Sequence, residues 1–141
     1  MCYAEKIMWV RDGQVTPMHR HIVKAEDIIN RGGGDLVLKV HGAQADGTVC
    51  RDRPVTVACD GLPRQIGPDQ HLRLKPGESV TLLPGVWHSF WAEAGDALVG
   101  EVSTVNDDMT DNVFEAPVGR FARIDEDEAP WRLLVSDYGG F

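Results

Sequence analysis

Three histidines and a glutamate define the chemistry open to this chain. They are His19, His21 and Glu26 in T-P-M-H-R-H-I-V-K-A-E, and His88 in L-P-G-V-W-H-S-F-W. His19 and His21 are two residues apart, so on an extended strand both imidazoles leave the backbone on one face. Glu26 lies at an odd offset from them and can join them only if the chain turns or bulges in between. Two ring nitrogens and a carboxylate oxygen suit a divalent metal, and His88, carried by the Pro84-Gly85 turn, is the best remaining fourth ligand. Alternate histidines also occur by chance on ordinary strands. The nearby carboxylate and the second, turn-borne histidine favour the ligand reading.

The chain around these residues has 141 positions, the size of one domain with a genuine core. Hydrophobic residues make up 43% and charged residues 26%, the balance of a soluble globular protein. No apolar run reaches membrane-spanning length, and M-C-Y-A-E-K-I-M-W-V lacks a signal-peptide pattern, so no membrane partner and a cytoplasmic location are expected. The formal net charge is -8 and no basic stripe gathers on one face, which argues against nucleic acid as a partner. Cys2, Cys50 and Cys59 form no C-x-x-C pair and are read as small buried hydrophobes or idle thiols.

Short β-rich runs alternate with Gly, Pro and Asp turns, and no segment has a helical period. Strands are predicted at 5–11, 15–22, 26–30, 35–41, 55–59, 64–66, 72–74, 79–83, 87–92, 97–105 and 131–136, with the glycines at 32–34 breaking the third and D-G-L-P closing a hairpin. Such a set implies an all-β antiparallel sandwich or barrel.

The spacing Gly13, His19-x-His21, Glu26, Gly33 resembles the first cupin motif, and Gly77, Gly85, His88 resembles the second, with the usual proline displaced to Pro84. Together they imply a small double-stranded β-helix, or jelly-roll barrel, as one cupin domain over 1–141 with a metal-binding core of about 5–138. The metal would sit inside it on His19, His21, Glu26 and His88. The blocks E-D-I-I-N-R-G-G-G, P-G-V-W-H-S-F-W-A-E and G-E-V-S-T-V-N-D-D-M-T-D-N are similar to the D-lyxose isomerase family of cupins, and the similarity runs from about Tyr3 to Tyr138. Members of that family usually carry a further segment ahead of the Y-x-E-K strand, so barrel closure or the dimer contact is expected to differ here.

This resemblance implies interconversion of D-lyxose and D-xylulose, and of D-mannose and D-fructose, with manganese or else cobalt, iron or zinc. It also implies a small sugar substrate and a homodimer. Moving a carbonyl between C1 and C2 requires proton or hydride transfer while charge builds on adjacent oxygens, which a metal with two open positions can stabilise. Lys24 lies between His21 and Glu26 and is a candidate to hold a substrate oxygen or donate a proton. Glu101 interrupts the apolar run A-L-V-G-E-V-S-T-V; if it faces inward, burial would raise its pKa and suit it as the base. Asp107 and Asp108 are candidates for sugar hydroxyls, with Asp111 and Glu126 weaker ones.

Trp87 and Phe90 flank His88 and are candidates equally for the sugar-stacking wall and the core. His41 and His71 have no spaced partner and are read as surface histidines; Trp9 and Trp131 are assigned to packing. A second reading is a cupin dioxygenase, in which the same four ligands bind iron and activate dioxygen; its pocket is more often apolar, whereas Lys24, Asn30, Arg31, Glu101 and Asp107 would make this one polar. A non-catalytic sugar- or metal-binding module is the third reading.

Overall fold

The computed structural model describes residues 3–104, 107, 110–118, 127–129 and 131. Within them the chain is antiparallel β-structure with no helix, and so no helix long enough to cross a membrane. Ten strands are present: β1 (Ala4–Val10), β2 (His19–His21), β3 (Glu26–Ala43), β4 (Val49–Cys50), β5 (Val55–Cys59), β6 (Leu62–Ile66), β7 (Leu72–Leu74), β8 (Ser79–Leu82), β9 (Trp87–Ser103) and β10 (Asn112–Phe114). The main path runs β10-β2-β9-β3-β8-β5-β6; β1 pairs with β9, and β4 and β7 with β3.

The two long strands organise everything else. β3 and β9 pair from Glu26↔Ser103 to His41↔Trp87. The register slips between Asn30 and Gly32 and again between Gly33 and Asp35. Contrary to the sequence expectation, the glycines at 32–34 do not break the strand but bulge it, and the two runs expected from 87 and from 97 form one strand, Trp87–Ser103, through a bend at Ala94 and Gly95, both at positive φ. Gly33 and Gly34 are required there by space. A Cβ on Gly33 would lie 2.2 Å from the carbonyl oxygen of Asp96, and one on Gly34 2.3 Å from that of Gly95.

Asn30, fully buried, clamps the bulge: its Nδ2 donates to the carbonyls of Gly34 (2.9 Å) and Leu74 (3.0 Å), and its Oδ1 accepts from the Gly32 amide (3.0 Å). Arg31 is exposed and lies 3.5 Å from Glu5. Neither therefore contributes to the polar pocket that the sequence reading assigned them. The physical reason is the bulge itself, whose freed carbonyls need a donor at position 30.

The bulge also sets which side chains face inward. His88, Phe90 and Ala92 alternate into the interior; after the bend, Ala97, Val99, Glu101 and Ser103 do so. His88 and Glu101 are an odd number of residues apart, so a regular strand would aim them to opposite faces. The bend restores a common face. On β3 the inward set is Glu26, Ile28 and Asn30, then Leu36, Leu38 and Val40. These pack with Val57, Ile66, Leu72, Leu74, Val80 and Leu82 into one core.

Other expectations shift for local reasons. The D-G turn forms as predicted, with Asp60 and Gly61 both at positive φ, the conformation that matches a two-residue hairpin. The histidine strand is only three residues long, because 15–18 bond β9 irregularly through Thr16. β10 was not foreseen, since it lies just past the polar N-D-D-M-T-D stretch; the strand expected at 131–136 lies outside the described residues apart from Trp131, as does Cys2. Trp9 and Trp131 do not pack inside: they are 69% and 85% exposed. His41 is not a surface residue but 2% exposed, whereas His71 is exposed as expected.

The glycine bulge gives a direct test. Gly34→Ala should lower the unfolding free energy by about 1–3 kcal/mol, the usual cost of overpacking. Gly42→Ala, where a Cβ meets nothing within 4 Å, should change it by no more than about 0.5 kcal/mol. Urea denaturation of the two variants measures the difference, and equal stabilities would refute the steric account.

Candidate metal centre

One end of the interior holds the four residues singled out by their spacing. β2 and β9 place His19 directly opposite His88, and the ring centroids are 4.1 Å apart. His21 is one alternation further along β2, and the turn 22–25 delivers Glu26 at the start of β3. One ligand atom from each of His19, His21, Glu26 and His88 lies within 4.8 Å of the others, and three of the residues are buried. The odd offset between His21 and Glu26 is resolved by this turn, not by a bulge.

Tautomers follow from the backbone. His19 Nδ1 lies 2.8 Å from the carbonyl oxygen of Pro17, and His88 Nδ1 lies 3.1 Å from that of Val86. A carbonyl can only accept, so each ring donates from Nδ1 and, when neutral, leaves Nε2 bare. Burial first, then the adjacent His88, lowers the His19 pKa to about 3, so this ring is neutral at pH 7.

Two ring nitrogens, the bare Nε2 of His88 and that of His21, converge on a carboxylate. Glu26 Oε1 is 3.0 Å from His88 Nε2 and 3.2 Å from His21 Nε2, and none of the three atoms has a hydrogen-bond partner. Lone pairs facing one another at that distance repel unless a proton or a cation lies between them. Burial works against the charged form of Glu26; His21, His88 and the Lys24 ammonium outweigh it and hold the carboxyl well below its usual range, the two imidazoles only where a proton or a cation occupies the space between nitrogen and oxygen. Three imidazoles and one ionised carboxylate, with His21, His88 and one Glu26 oxygen lacking hydrogen-bond partners, fit a divalent cation.

Beside this cluster lies a buried ion-pair chain. Lys24 Nζ is 2.8 Å from Glu26 Oε2 and 2.8 Å from Glu101 Oε1; Lys6, on the neighbouring strand β1, reaches the same Glu101 oxygen at 3.4 Å. Burial disfavours the Lys24 ammonium, yet its bonds to Glu101 and Glu26 more than offset this and raise its pKa. Glu101 faces inward, and it is not an isolated carboxyl in an apolar pocket, because two ammonium groups lie within ion-pair distance of it.

The remaining candidates are placed elsewhere or differently. Trp87 and His88 alternate to opposite faces; the Trp87 indole donates to the Gly47 carbonyl (3.1 Å) beneath the Arg20 guanidinium, away from the cluster. Phe90 shares the face of His88 but belongs to the apolar core. Asp107 is exposed and its two carboxylate oxygens accept from the Thr110 amide (3.1 Å) and hydroxyl (2.5 Å), organising its own loop. Asp108 and Glu126 lie outside the described residues.

Asp111 has a larger part than its sequence context suggested. Its Oδ1 accepts from the amides of Ile22 (2.9 Å) and Val23 (2.7 Å), and its Oδ2 accepts from that of Lys24 (3.0 Å). Those bonds outweigh burial and lower its pKa. The carboxylate thus holds the turn that sets Glu26 against His21, and it also lies 3.8 Å from His21 Nδ1. The sequence signal for this role is slight, an acidic residue just ahead of a three-residue strand that pairs with β2.

The sequence profile of the D-lyxose isomerase family matches residues 1–138. A D-lyxose/D-mannose isomerase of Escherichia coli O157:H7 is 54% identical over 142 aligned residues, covering 99% of this chain and 62% of the relative. A protein of the same description from Serratia proteamaculans is 53% identical, over 96% of this chain and 60% of its own length. The chain thus spans about three-fifths of the relatives it matches. Among solved structures, the Cellulomonas parahominis L-ribose isomerase with L-ribose aligns at a TM-score of 0.57 and 20% identity, over 81% of this chain and 58% of that one. NovW, a 4-keto-6-deoxy sugar epimerase of Streptomyces spheroides, aligns at 0.56 and 16%, over 79% and 50%. With the antiparallel strand order, these likenesses establish the double-stranded β-helix expected of a cupin.

Removing the Asp111 carboxylate strands the Val23 and Lys24 amides, while that of Ile22 keeps the backbone carbonyl of residue 111 at 3.3 Å. Asp111→Ala should cost at least about 2 kcal/mol of folding stability, given about 1–3 kcal/mol for each buried donor left unpaired. Chemical denaturation measures this; a loss under about 0.5 kcal/mol, the range of ordinary surface substitutions, would show that the turn holds itself.

Proposed function

Because this chain belongs to the D-lyxose isomerase family, we propose that it is a metal-dependent aldose–ketose isomerase. It would act on D-lyxose and D-xylulose, and on D-mannose and D-fructose. The observation that carries the reading is the mutual placement of His19, His21, Glu26 and His88 with the Lys24–Glu101 pair directly beside them. The 54% identity with a D-lyxose/D-mannose isomerase supports the choice of substrates.

The four residues would hold a divalent ion, which when bound supplies positive charge beside the two neighbouring oxygens of the sugar. Manganese is our first choice, on family resemblance; the donor set itself accepts cobalt, iron or zinc as readily. We extend the same resemblance to a homodimer, and the sequence reading to a single cupin domain acting in the cytoplasm.

Lys24 and Glu101 then divide the proton traffic. Their bonding atoms are 2.8 Å apart, so a donor and an acceptor face the same small volume. Starting from the open-chain aldose, Glu101 takes the proton from C2 while the Lys24 ammonium gives one to O1, and the product of this step is the enediol. Glu101 then returns its proton to C1 as Lys24 recovers one from O2, which becomes the ketose carbonyl. Both side chains end as they began. Lys6, across the strand pair at 3.4 Å, keeps the Glu101 carboxylate in place while Lys24 is engaged with substrate.

Three measurements examine these roles. Replacing His88 or His19 by Ala should remove bound manganese and ketose formation together, read by elemental analysis and a ketose assay; wild-type turnover in metal-free buffer would defeat the assignment. Glu101→Gln should keep the metal and lower turnover by about a hundredfold or more, the scale of general-base catalysis. In deuterated water, exchange of the Glu101 proton with solvent before its return leaves deuterium at C1 of the ketose, which a hydride shift cannot do.

A further inference from the structure

A second concavity lies on the other face of β3. Alternation turns Leu38 and Val40 into the core and sends Lys39 and His41 to the opposite side. There they line a cavity of about 190 Å³ with Arg51, Pro68, Asp69 and His71. His41 is only 2% exposed, yet neither of its ring nitrogens has a hydrogen-bond partner. A buried polar group left in this state is costly and calls for a partner, an ordered water or a bound ligand.

The surroundings define what that ligand must be. Burial, then the charges of Arg51 and Lys39, lower the His41 pKa, so the ring is neutral and offers one N–H donor and one bare acceptor. Lys39 and Arg51 bring two positive charges to one spot on a chain of net charge -8. Arg51 spends its Nη2 on Glu115 at 2.5 Å and keeps other N–H groups for the cavity. Asp69 is the one carboxylate in the lining and is exposed, while the His71 ring, edge-on to Trp91 at 5.1 Å, sits at the rim.

We infer that this cavity is a binding site for a protonated oxyanion of the phosphate class, either inorganic phosphate or a phosphate monoester. Inorganic phosphate carries both P–O acceptors and a P–OH donor on either side of neutral pH, whereas a phosphate monoester does so only as its monoanion, which a second pKa of about 6 makes the minor form at neutral pH. One oxygen accepts from the His41 N–H, the hydroxyl donates to the bare ring nitrogen, and the others meet Lys39 and Arg51 in charge-assisted bonds. Sulfate and carboxylates carry no proton at this pH and would leave the second nitrogen unpaired. A second metal ion is disfavoured by the two cations. The site uses none of the residues assigned to isomerisation, so it stands or falls independently of that reading.

The test is calorimetric titration of the metal-loaded full chain at about pH 6.5 with inorganic phosphate, a hexose 6-phosphate and sulfate at matched ionic strength, on the wild type, Lys39→Met and His41→Phe. Saturable binding of at least one phosphate species is expected, weakened about tenfold or more in either variant, with sulfate weaker than the phosphate. Binding of the ester as well as free phosphate would identify an open site; binding of free phosphate alone would identify a closed one. His41→Phe should be no less stable than wild type without phosphate, since it removes two unpaired nitrogens. If that variant does not fold, Lys39→Met alone decides. The proposal is overturned by an absence of saturable binding, by sulfate binding as well as phosphate, or by affinity unchanged in Lys39→Met, which would put the anion elsewhere, at the bound metal for instance.

Discussion

Imidazole nitrogen facing carboxylate oxygen inside a barrel is the interaction on which this structure turns. His88 Nε2 and His21 Nε2 approach Glu26 Oε1 to 3.0 and 3.2 Å with no hydrogen bond between them. For His88 the backbone fixes this arrangement, because the Val86 carbonyl accepts from Nδ1 and leaves the other nitrogen of the neutral ring bare. An apolar replacement would relieve the repulsion. A protein that keeps such an arrangement in its interior stores a preference for a cation, and the proposed divalent ion is the group that satisfies all four donors together.

The scaffold answers that demand through two devices of strand geometry. The bend at Ala94–Gly95 changes the parity of β9, so that His88 and Glu101 both face inward. The Asp111 carboxylate draws three successive amides into the turn that presents Glu26. Lys24 is on that same turn, and this is why a lysine between two proposed ligands points at Glu101 instead of solvent. Its bonds to Glu26 and Glu101 link the ligand set to the proposed base through a single ammonium group.

Much of this was legible from spacing. The H-x-H pair, the glutamate and the distant histidine are the residues the structure draws together, because alternation along a strand is a rule that sequence obeys locally. Most strand positions and the all-β class could be read for the same reason. What escaped was non-local. That the glycines at 32–34 bulge a continuous strand depends on the carbonyls of Gly95 and Asp96 lying against them, which no window around position 33 contains. The part of Asp111 depends on β10 pairing with β2 across some ninety residues, and the exposure of Trp9 on the outer face of β1 depends on which face of that strand the core selects.

His41 shows how the same alternation separates two kinds of chemistry on one strand. It lies on β3 an odd number of residues from Glu26, but two register shifts intervene, so parity counted from Glu26 says nothing about its face. Its immediate neighbours decide: Val40 and Leu38 are in the core, hence His41 and Lys39 are not. A histidine opposite Trp87, one rung from the Val40↔His88 pair, is therefore close to the histidine cluster along the strand and yet is turned away from it by the pleat. Its burial comes instead from the segment that carries Pro68 and Asp69 and from Arg51, which supplies a cation where the first site supplies a carboxylate. Two buried sets of unpaired imidazole nitrogens thus call for ligands of opposite charge, and the sign in each case is set by the partner residue, Glu26 inside and Arg51 with Lys39 outside.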